Sequence, residues 1–390
     1  MIPAQEDFKL DLAAQCRRAV KDVIQVILDE ELSRLVGAGT YQRSDQRVDV
    51  RNGDYPRRVV TGVGEVAVRV GRTRGGGSAT APLGRYKRRR PEIDAAVTEG
   101  YVRGLSTRDM TGVTEALLGK SVGRSTVSRV TRRLDDTVEA LRRERIDQPI
   151  AYLYLDATFL DVRWARSVEN VAALVAYGIG PDGFRRLLAV HIGTQESEAS
   201  WAGLLRELVD RGLHGVRLLI ADDHAGIRAA ARKVLPEVPQ QRCTVHLTRN
   251  VLTKVPAKHQ GRIGAEVVRV LHAASLVEAK KALRSFRDRF VAQFAEAVAC
   301  LEHGFAAGTL YYAAPPAHWM RIRSTNGLER LHGETKRRTR AIGAFPDRAS
   351  ALRLVTAVAQ QSTSIWNDRR YLDMTLLDQR AQPAPVALAA

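Results

Sequence analysis

Residues 152–163 read YLYLDATFLDVR. A run this dense in Tyr, Leu, Phe and Val predicts a core strand over about 151–163, and Asp156 sits in its middle. A carboxylate inside such a strand is costly unless it meets a cation or a hydrogen-bonding partner. A second apolar run, VRLLIADD (216–223), ends on Asp222, and Glu329 lies downstream in the basic stretch STNGLERLHGETKRR (324–338). Two strand carboxylates and a helical glutamate can hold two Mg²⁺ (or Mn²⁺) ions, an arrangement suited to cutting and joining phosphodiesters.

Outward from Asp156, the pattern predicts strands over about 151–163, 170–179, 186–193, 216–221 and 241–245, with helices over 196–212 and 225–235. Three consecutive strands with short turns predict antiparallel pairing, and the strand–helix–strand units after them predict parallel additions. This α/β order is that of an RNase H-like fold. It would place Asp156 on a central strand, Asp222 at the end of the fourth, and Glu329 on a helix returning to the same sheet edge. Residues 247–303 carry helical patterning and no strand signal, so an all-helical insertion separates the sheet from helices at 323–340 and 348–366.

Each acid has a rival. Asp161 is five residues past Asp156 and should face the other side of the strand. Asp223 adjoins Asp222, and Glu334 competes with Glu329. Asn326, Glu329, Arg330, Gly333 and Arg337 fall on one helical stripe, which suits metal plus phosphate and favours Glu329. Cys243 and His246 form a Cys-x-x-His pair at the expected end of the fifth strand. It lacks the other half of a zinc site, so Cys243 reads as a packing residue and His246 as a group that orients a carboxylate or reaches a phosphate. Arg242, Arg249 and Asn250 read as substrate or scaffold contacts.

The chain has 390 residues, 61 Lys+Arg against 43 Asp+Glu and a formal charge of +18, which predicts several domains and a polyanionic partner. Residues 41–90 concentrate Arg and Lys, including Arg51, Arg57 and Arg58, and end in RYKRRR (85–90). Three scattered cysteines argue against a disulfide framework and for a reducing, cytoplasmic setting. Neither a signal peptide nor a membrane span is expected. The predicted organisation is an N-terminal helix over 1–40 with a dimerising role, a basic β segment over 41–91 with a mobile Gly75–Gly77 loop, and a helix-turn-helix-like region over 92–149. The catalytic domain would follow in two parts, 150–247 and 323–370, around the insertion 248–322, before a tail at 371–390. Within 92–149, Ser106 and Thr107 could cap a helix, Gly119–Ser121 make a turn, and Ser125–Leu134 is a recognition helix offering Arg124, Ser128, Arg129 and Arg132 to DNA. The final AQPAPVALAA reads as disordered.

The frame of Asp156, Asp222, Cys243-x-x-His246 and Glu329 resembles the Mutator-like DDE transposases of bacterial insertion sequences. Further segments in matching order are RNGDYPRR (51–58), GLSTRDM (104–110), SRVTRRLD (128–135), ESEASW (196–201), QRCTVHLTRN (241–250), STNGLER (324–330) and GAFP (343–346). The resemblance implies divalent metal on Asp156, Asp222 and Glu329, binding of terminal inverted repeats in double-stranded DNA, hydrolytic cleavage at element ends, and 3′-OH attack on target DNA by a homodimer associated with the nucleoid. Thr244, Asp223 and His332 depart from the family's usual residues. Two other readings are a domesticated, non-mobile DNA-binding regulator and an RNase H-like structure-selective nuclease.

Overall fold

The computed structural model describes residues 5–83, 91–118, 121–164 and 167–379. The basic run at 85–90, Gly119 and Lys120 of the expected turn, and the terminal AQPAPVALAA lie outside the described residues. The chain divides into two compact units between Arg133 and Leu134.

In the first unit, helix α1 (Gln5–Val36) is followed by strands β1 (Arg51–Thr61) and β2 (Gly64–Thr73), an antiparallel hairpin closed at Gly62–Val63. Alternation on β2 turns Val66, Val68 and Val70 inward, where they bury Leu28 of α1 and Val59. Helices α2 (Pro91–Val102), α3 (Thr107–Leu118) and α4 (Arg124–Thr131) close a second cluster of Ile93, Val97, Met110, Val127 and Val130 on Val60. Ser106 caps α3: its Oγ accepts from Asp109 N (3.1 Å), and the Asp109 carboxylate accepts from Ser106 N (3.2 Å). The glycine loop at 75–77 differs from expectation. Its amides are spent internally, Gly75 N donating to the Asp49 carboxylate (3.2 Å) and Gly77 N to Thr73 Oγ1 (3.0 Å), so it is a pinned turn.

The second unit begins with α5 (Leu134–Arg143), expected as part of the region 92–149. It belongs here because it packs on a later helix, with Asp135 paired to Arg353 at 2.5 Å. Then come β3 (Tyr152–Trp164), β4 (Ser167–Ile179), β5 (Arg185–Gly193), α6 (Glu198–Asp210), β6 (Leu218–Ala221), α7 (Ala225–Val234) and β7 (Gln240–Arg242). The sheet has the order β5-β4-β3-β6-β7, antiparallel among β3, β4 and β5 and parallel from β3 through β6 to β7. Central β3 is covered on both faces. Leu153 and Leu155 join Trp201, Leu204, Leu205 and Ile227 of α6 and α7 on one side; Tyr154 stacks on Tyr177 (ring centroids 4.2 Å) on the other. Fully burying each such aliphatic side chain contributes roughly 1.5–3 kcal/mol.

Helices α8 (Thr244–Leu252), α9 (Ala257–Leu271), α10 (Leu276–Phe290), α11 (Ala295–Gly308) and α12 (Pro316–Ile322) fill the expected all-helical stretch. Helices α13 (Asn326–Thr339) and α14 (Arg348–Thr363) return to the sheet, and α15 (Thr375–Gln379) ends the described chain. The expected tail therefore begins late: Tyr371 N donates to Gly183 O (2.9 Å), tying residues 371–379 to the domain. The link between α13 and α14 is fixed to β3, where Phe345 N donates to Asp161 O (2.8 Å) and Arg163 N to Phe345 O (2.8 Å). Buried Phe345 gives the GAFP segment a structural role, holding α13 against the strand that carries Asp156.

Candidate active site

Three parallel strand ends define the site. Tyr154 pairs with Ile220 and Ala221 with Arg242. Two residues past the first pair, Asp156 and Asp222 stand at equivalent positions on neighbouring strands. One residue past the second, Cys243 N donates to Ala221 O at 2.7 Å. The strand expected over 241–245 ends at Arg242, because Cys243 opens α8 and places His246 in that helix's first turn.

Cys243 is fully buried and accepts hydrogen bonds from Thr325 N (3.4 Å) and Thr325 Oγ1 (3.5 Å). Thr244 N donates to Arg323 O (2.9 Å). These contacts fasten the chain entering α13 to the β7–α8 junction. Glu329, in the first turn of α13, thereby comes to His246 and Arg249, its Oε1 lying 3.6 Å from His246 Nε2 and 3.3 Å from Arg249 Nη2. Gly327 makes room for the close packing: a Cβ there would meet Tyr177 Oη at 2.8 Å.

The electrostatics of these groups are mutually dependent. Asp156 is 7% exposed, and burial raises its pKa to about 7 against the opposing pull of His246; Asp222 and Glu329 raise it further. Its Oδ1 accepts from Ala157 N (3.0 Å), while Oδ2 lies 3.6 Å from His332 Nε2. The Cys243 side chain raises His246 to about 9 against the cost of burial, with Asp156 and Asp222 adding to the rise. Burial pushes the Cys243 thiol up, but His246 and Thr325 outweigh it and the net shift is downward. Burial drives His332 down to about 4, assisted by Lys336 and His246. His246 is therefore a cation among three carboxylates, and His332 a neutral group pressed against Asp156.

The rivals are otherwise engaged. Asp223 is held by Arg228 and by buried Arg242 (Nη1, 2.8 Å); Asp222 Oδ1 accepts only a local bond from His224 N (3.1 Å) among its described side-chain contacts. Asp161 is exposed on the opposite strand face and accepts from Asn170 Nδ2 (2.8 Å). Glu334 pairs with Arg337 (2.8 Å) and Arg338 (2.5 Å), and these bonds lower its pKa to about 2 despite some opposing desolvation. The expected stripe on α13 is thus divided: Arg337 belongs with Glu334, while Asn326 and Arg330 are exposed. Arg242 is scaffold, and the Asn250 amide accepts from its Nη2 (3.0 Å) and donates to His246 O (3.3 Å).

Among the DNA-contact candidates, Arg124, Ser128, Arg129 and Arg132 are exposed at α4. Arg58 is exposed with Glu65 at 4.0 Å, and Arg57 is half-buried. Arg51 is a scaffold residue, its Nη2 donating to Ser33 Oγ (2.9 Å) and Ala38 O (3.4 Å) across to α1.

Sequence reasoning missed Glu196. It lies before α6, its Oε1 3.6 Å from His224 Nδ1 beside the Asp222 loop. Burial raises its pKa, and Asp222 raises it further. The segment ESEASW contained the residue, but an acid before a helix reads as ordinary capping.

The oxygen-donor chemistry of Asp156, Asp222 and Glu329 fits a hard divalent cation, and burial with like-charge repulsion at Asp156 is a burden that such an ion relieves. Among the described residues, however, no three His, Cys, Asp or Glu side chains are grouped closely enough to hold a metal ion as they stand.

Comparisons with known proteins agree on a class: enzymes that move DNA segments. The profile described as transposase, Mutator family, matches residues 4–369, and the chain belongs to that family. It is 35% identical to the transposase of insertion sequence element ISRM5 from Rhizobium meliloti over 95% of this chain and 94% of that one. It is 32% identical to the transposase of IS256 in transposon Tn4001 from Staphylococcus aureus, over 90% and 91% of the two chains. It is also similar to a solved Drosophila P element transposase strand transfer complex, at 10% identity and a TM-score of 0.31, over 74% of this chain and 84% of that one; that score carries no argument.

Proposed function

We propose that this transposase binds the terminal inverted repeats of an insertion sequence, cleaves at the element ends, and joins the 3′-OH ends to target DNA with Asp156, Asp222 and Glu329 as its catalytic acids. The observation supporting this most strongly is the shared register of Asp156 and Asp222 at parallel strand ends. The sheet order and the return of α13 to the sheet are those expected of an RNase H-like catalytic domain, in two parts around the helical insertion.

The three carboxylates would hold two Mg²⁺ or Mn²⁺ ions, which supply nucleophile activation and compensation of charge on the leaving oxygen. The chain's own residues perform the positioning. Cys243 and Thr325 fix the start of α13, so that Glu329 is presented to the strand ends. His246 and Arg249 orient the Glu329 carboxylate. Protonated His246 also balances part of the negative charge around Asp156 and Asp222, and can turn toward an entering phosphate. Asp223 locks the loop behind Asp222 through Arg228 and Arg242.

The exposed basic row at α4 and the region 41–91 would read and hold double-stranded DNA, both element ends and target. No described helix is long and apolar enough to cross a membrane, and we place the protein in the cytoplasm on the nucleoid. Helix α1 exposes Val23, Val26 and Ile27 at 60%, 57% and 44%, a face suited to a homodimer.

The test is incubation of purified protein with labelled DNA from both flanks of its gene, with Mg²⁺ or Mn²⁺. Nicking and 3′-end joining support the reading. Cutting without joining would favour a nuclease, and binding without cutting a domesticated regulator.

A further inference from the structure

Strands β3 and β4 outrun their neighbours. The last β3 residue paired to β6 is Tyr154, and the β4 residue nearest the tip paired to β5 is Ala172, yet β3 and β4 remain paired out to Trp164 and Ser167. The overhang is a two-stranded arm continuing from the strand that carries Asp156. Alternation divides its faces. Leu160 and Val162 are buried on the Asp156 face, whereas Phe159, Asp161 and Arg163 on the other are exposed. Phe159 is 46% exposed, and Val168, paired with Arg163, is 59% exposed. The acid on this face, Asp161, accepts a hydrogen bond from Asn170.

Phe159 lies on the face of Leu153 and Leu155, where α6 and α7 pack. The loops leading into those helices carry Glu196 and Asp222, so the exposed ring shares its face with the approach to the strand ends. Three residues of extended chain separate it from Asp156, about 10 Å. An isolated exposed apolar residue needs no explanation. This one sits with a free-standing arginine on a projecting arm beside the acids, in a chain of charge +18. Aromatic and cationic groups side by side are what an unpaired base and its phosphate require.

We propose that Phe159 stacks on a nucleobase adjacent to the phosphate being cut, with Arg163 holding the neighbouring backbone. The inference rests on the reading of Asp156 and Asp222 given above. Its occupant is the substrate DNA itself.

The test uses the full-length protein and a duplex taken from the flank of its own gene, carrying 2-aminopurine at successive positions around the cleavage point. Binding by the unaltered protein should change the fluorescence at one position, and Phe159→Ala should abolish that change. Cleavage should fall about ten- to hundredfold in Phe159→Ala, as expected for one lost base stack. Phe159→Trp should retain both signals and Phe159→Leu neither, with unchanged thermal unfolding in all three. Equal activity of the Leu and Trp variants, or an unaffected Ala variant, overturns the proposal. So does loss of self-association in Phe159→Ala without loss of the fluorescence change, which would make the arm a contact between copies. If the unaltered protein binds but does not cut, the catalytic reading fails, and the fluorescence series alone decides the stacking claim.

Discussion

Asp156 and Asp222 stand opposite one another on adjacent parallel strands, each two residues beyond the Tyr154–Ile220 pair. Strand register therefore brings together two acids that are 66 positions apart in sequence. Neighbouring strands lie about 4.8 Å apart, so carboxylates at equivalent positions repel unless something positive stands near them. In the protein as described, that charge belongs to His246.

The adjacent pair Asp222 and Asp223 should separate by phenotype. Asp222→Asn should remove cleavage and joining by at least about a thousandfold with little change in thermal unfolding. Asp223→Asn strips a carboxylate from buried Arg242 and should cost about 3 kcal/mol of stability. Cleavage assays and unfolding midpoints on both variants measure the two effects.

Glu329 and Glu334 should differ in the same way. Glu329→Gln should abolish chemistry. Glu334→Gln breaks partly exposed pairs with Arg337 and Arg338, and should cost less than about 1 kcal/mol while leaving cleavage within a few-fold of normal. Single-turnover cleavage at saturating metal checks both.

Cys243 should be inert in the native protein. It is fully buried, whereas Cys16 is exposed, so thiol labelling followed by peptide mapping should mark Cys16 and spare Cys243 until the protein unfolds. Cys243→Ala removes the acceptor for Thr325 and should lower stability by about 1–3 kcal/mol and slow cleavage through misplacement of α13. Cys243→Ser, which keeps an acceptor, should recover part of both.

Acid should weaken the fold partly through His272. Burial beside Arg323 lowers its pKa to about 4 from an ordinary 6.5. The unfolded chain takes up that proton first, so His272 costs nothing above pH 6.5 and stability falls as pH drops from 6.5 toward 4. Urea midpoints at pH 7 and pH 5 should differ, and His272→Gln should reduce the difference.

Much of this was legible in the sequence because periodicity and burial are local. The run 152–163 announced its strand, and the three strands from 152 to 193 fall close to their expected places. Asp156 was conspicuous because a charge in an apolar strand violates the local rule. What could not be read was side-chain pairing across the fold. Arg242, Arg51 and Arg337 looked like phosphate contacts, since a basic residue in a basic stretch gives no hint that a distant or neighbouring partner has claimed it. Glu196 stayed hidden for the converse reason: its meaning comes from the Asp222 loop beside it. The end of β7 was misplaced because the apolar Cys243 and Val245 suit a strand as well as the first turn of a helix.

The most direct measurement is metal-dependent cleavage and joining of DNA carrying the element ends, with Asp156→Asn alongside. The account predicts nicked and joined 3′ ends with Mg²⁺ or Mn²⁺, none after chelation, and none from a variant that still folds and binds the DNA. Undiminished cleavage by Asp156→Asn would contradict it.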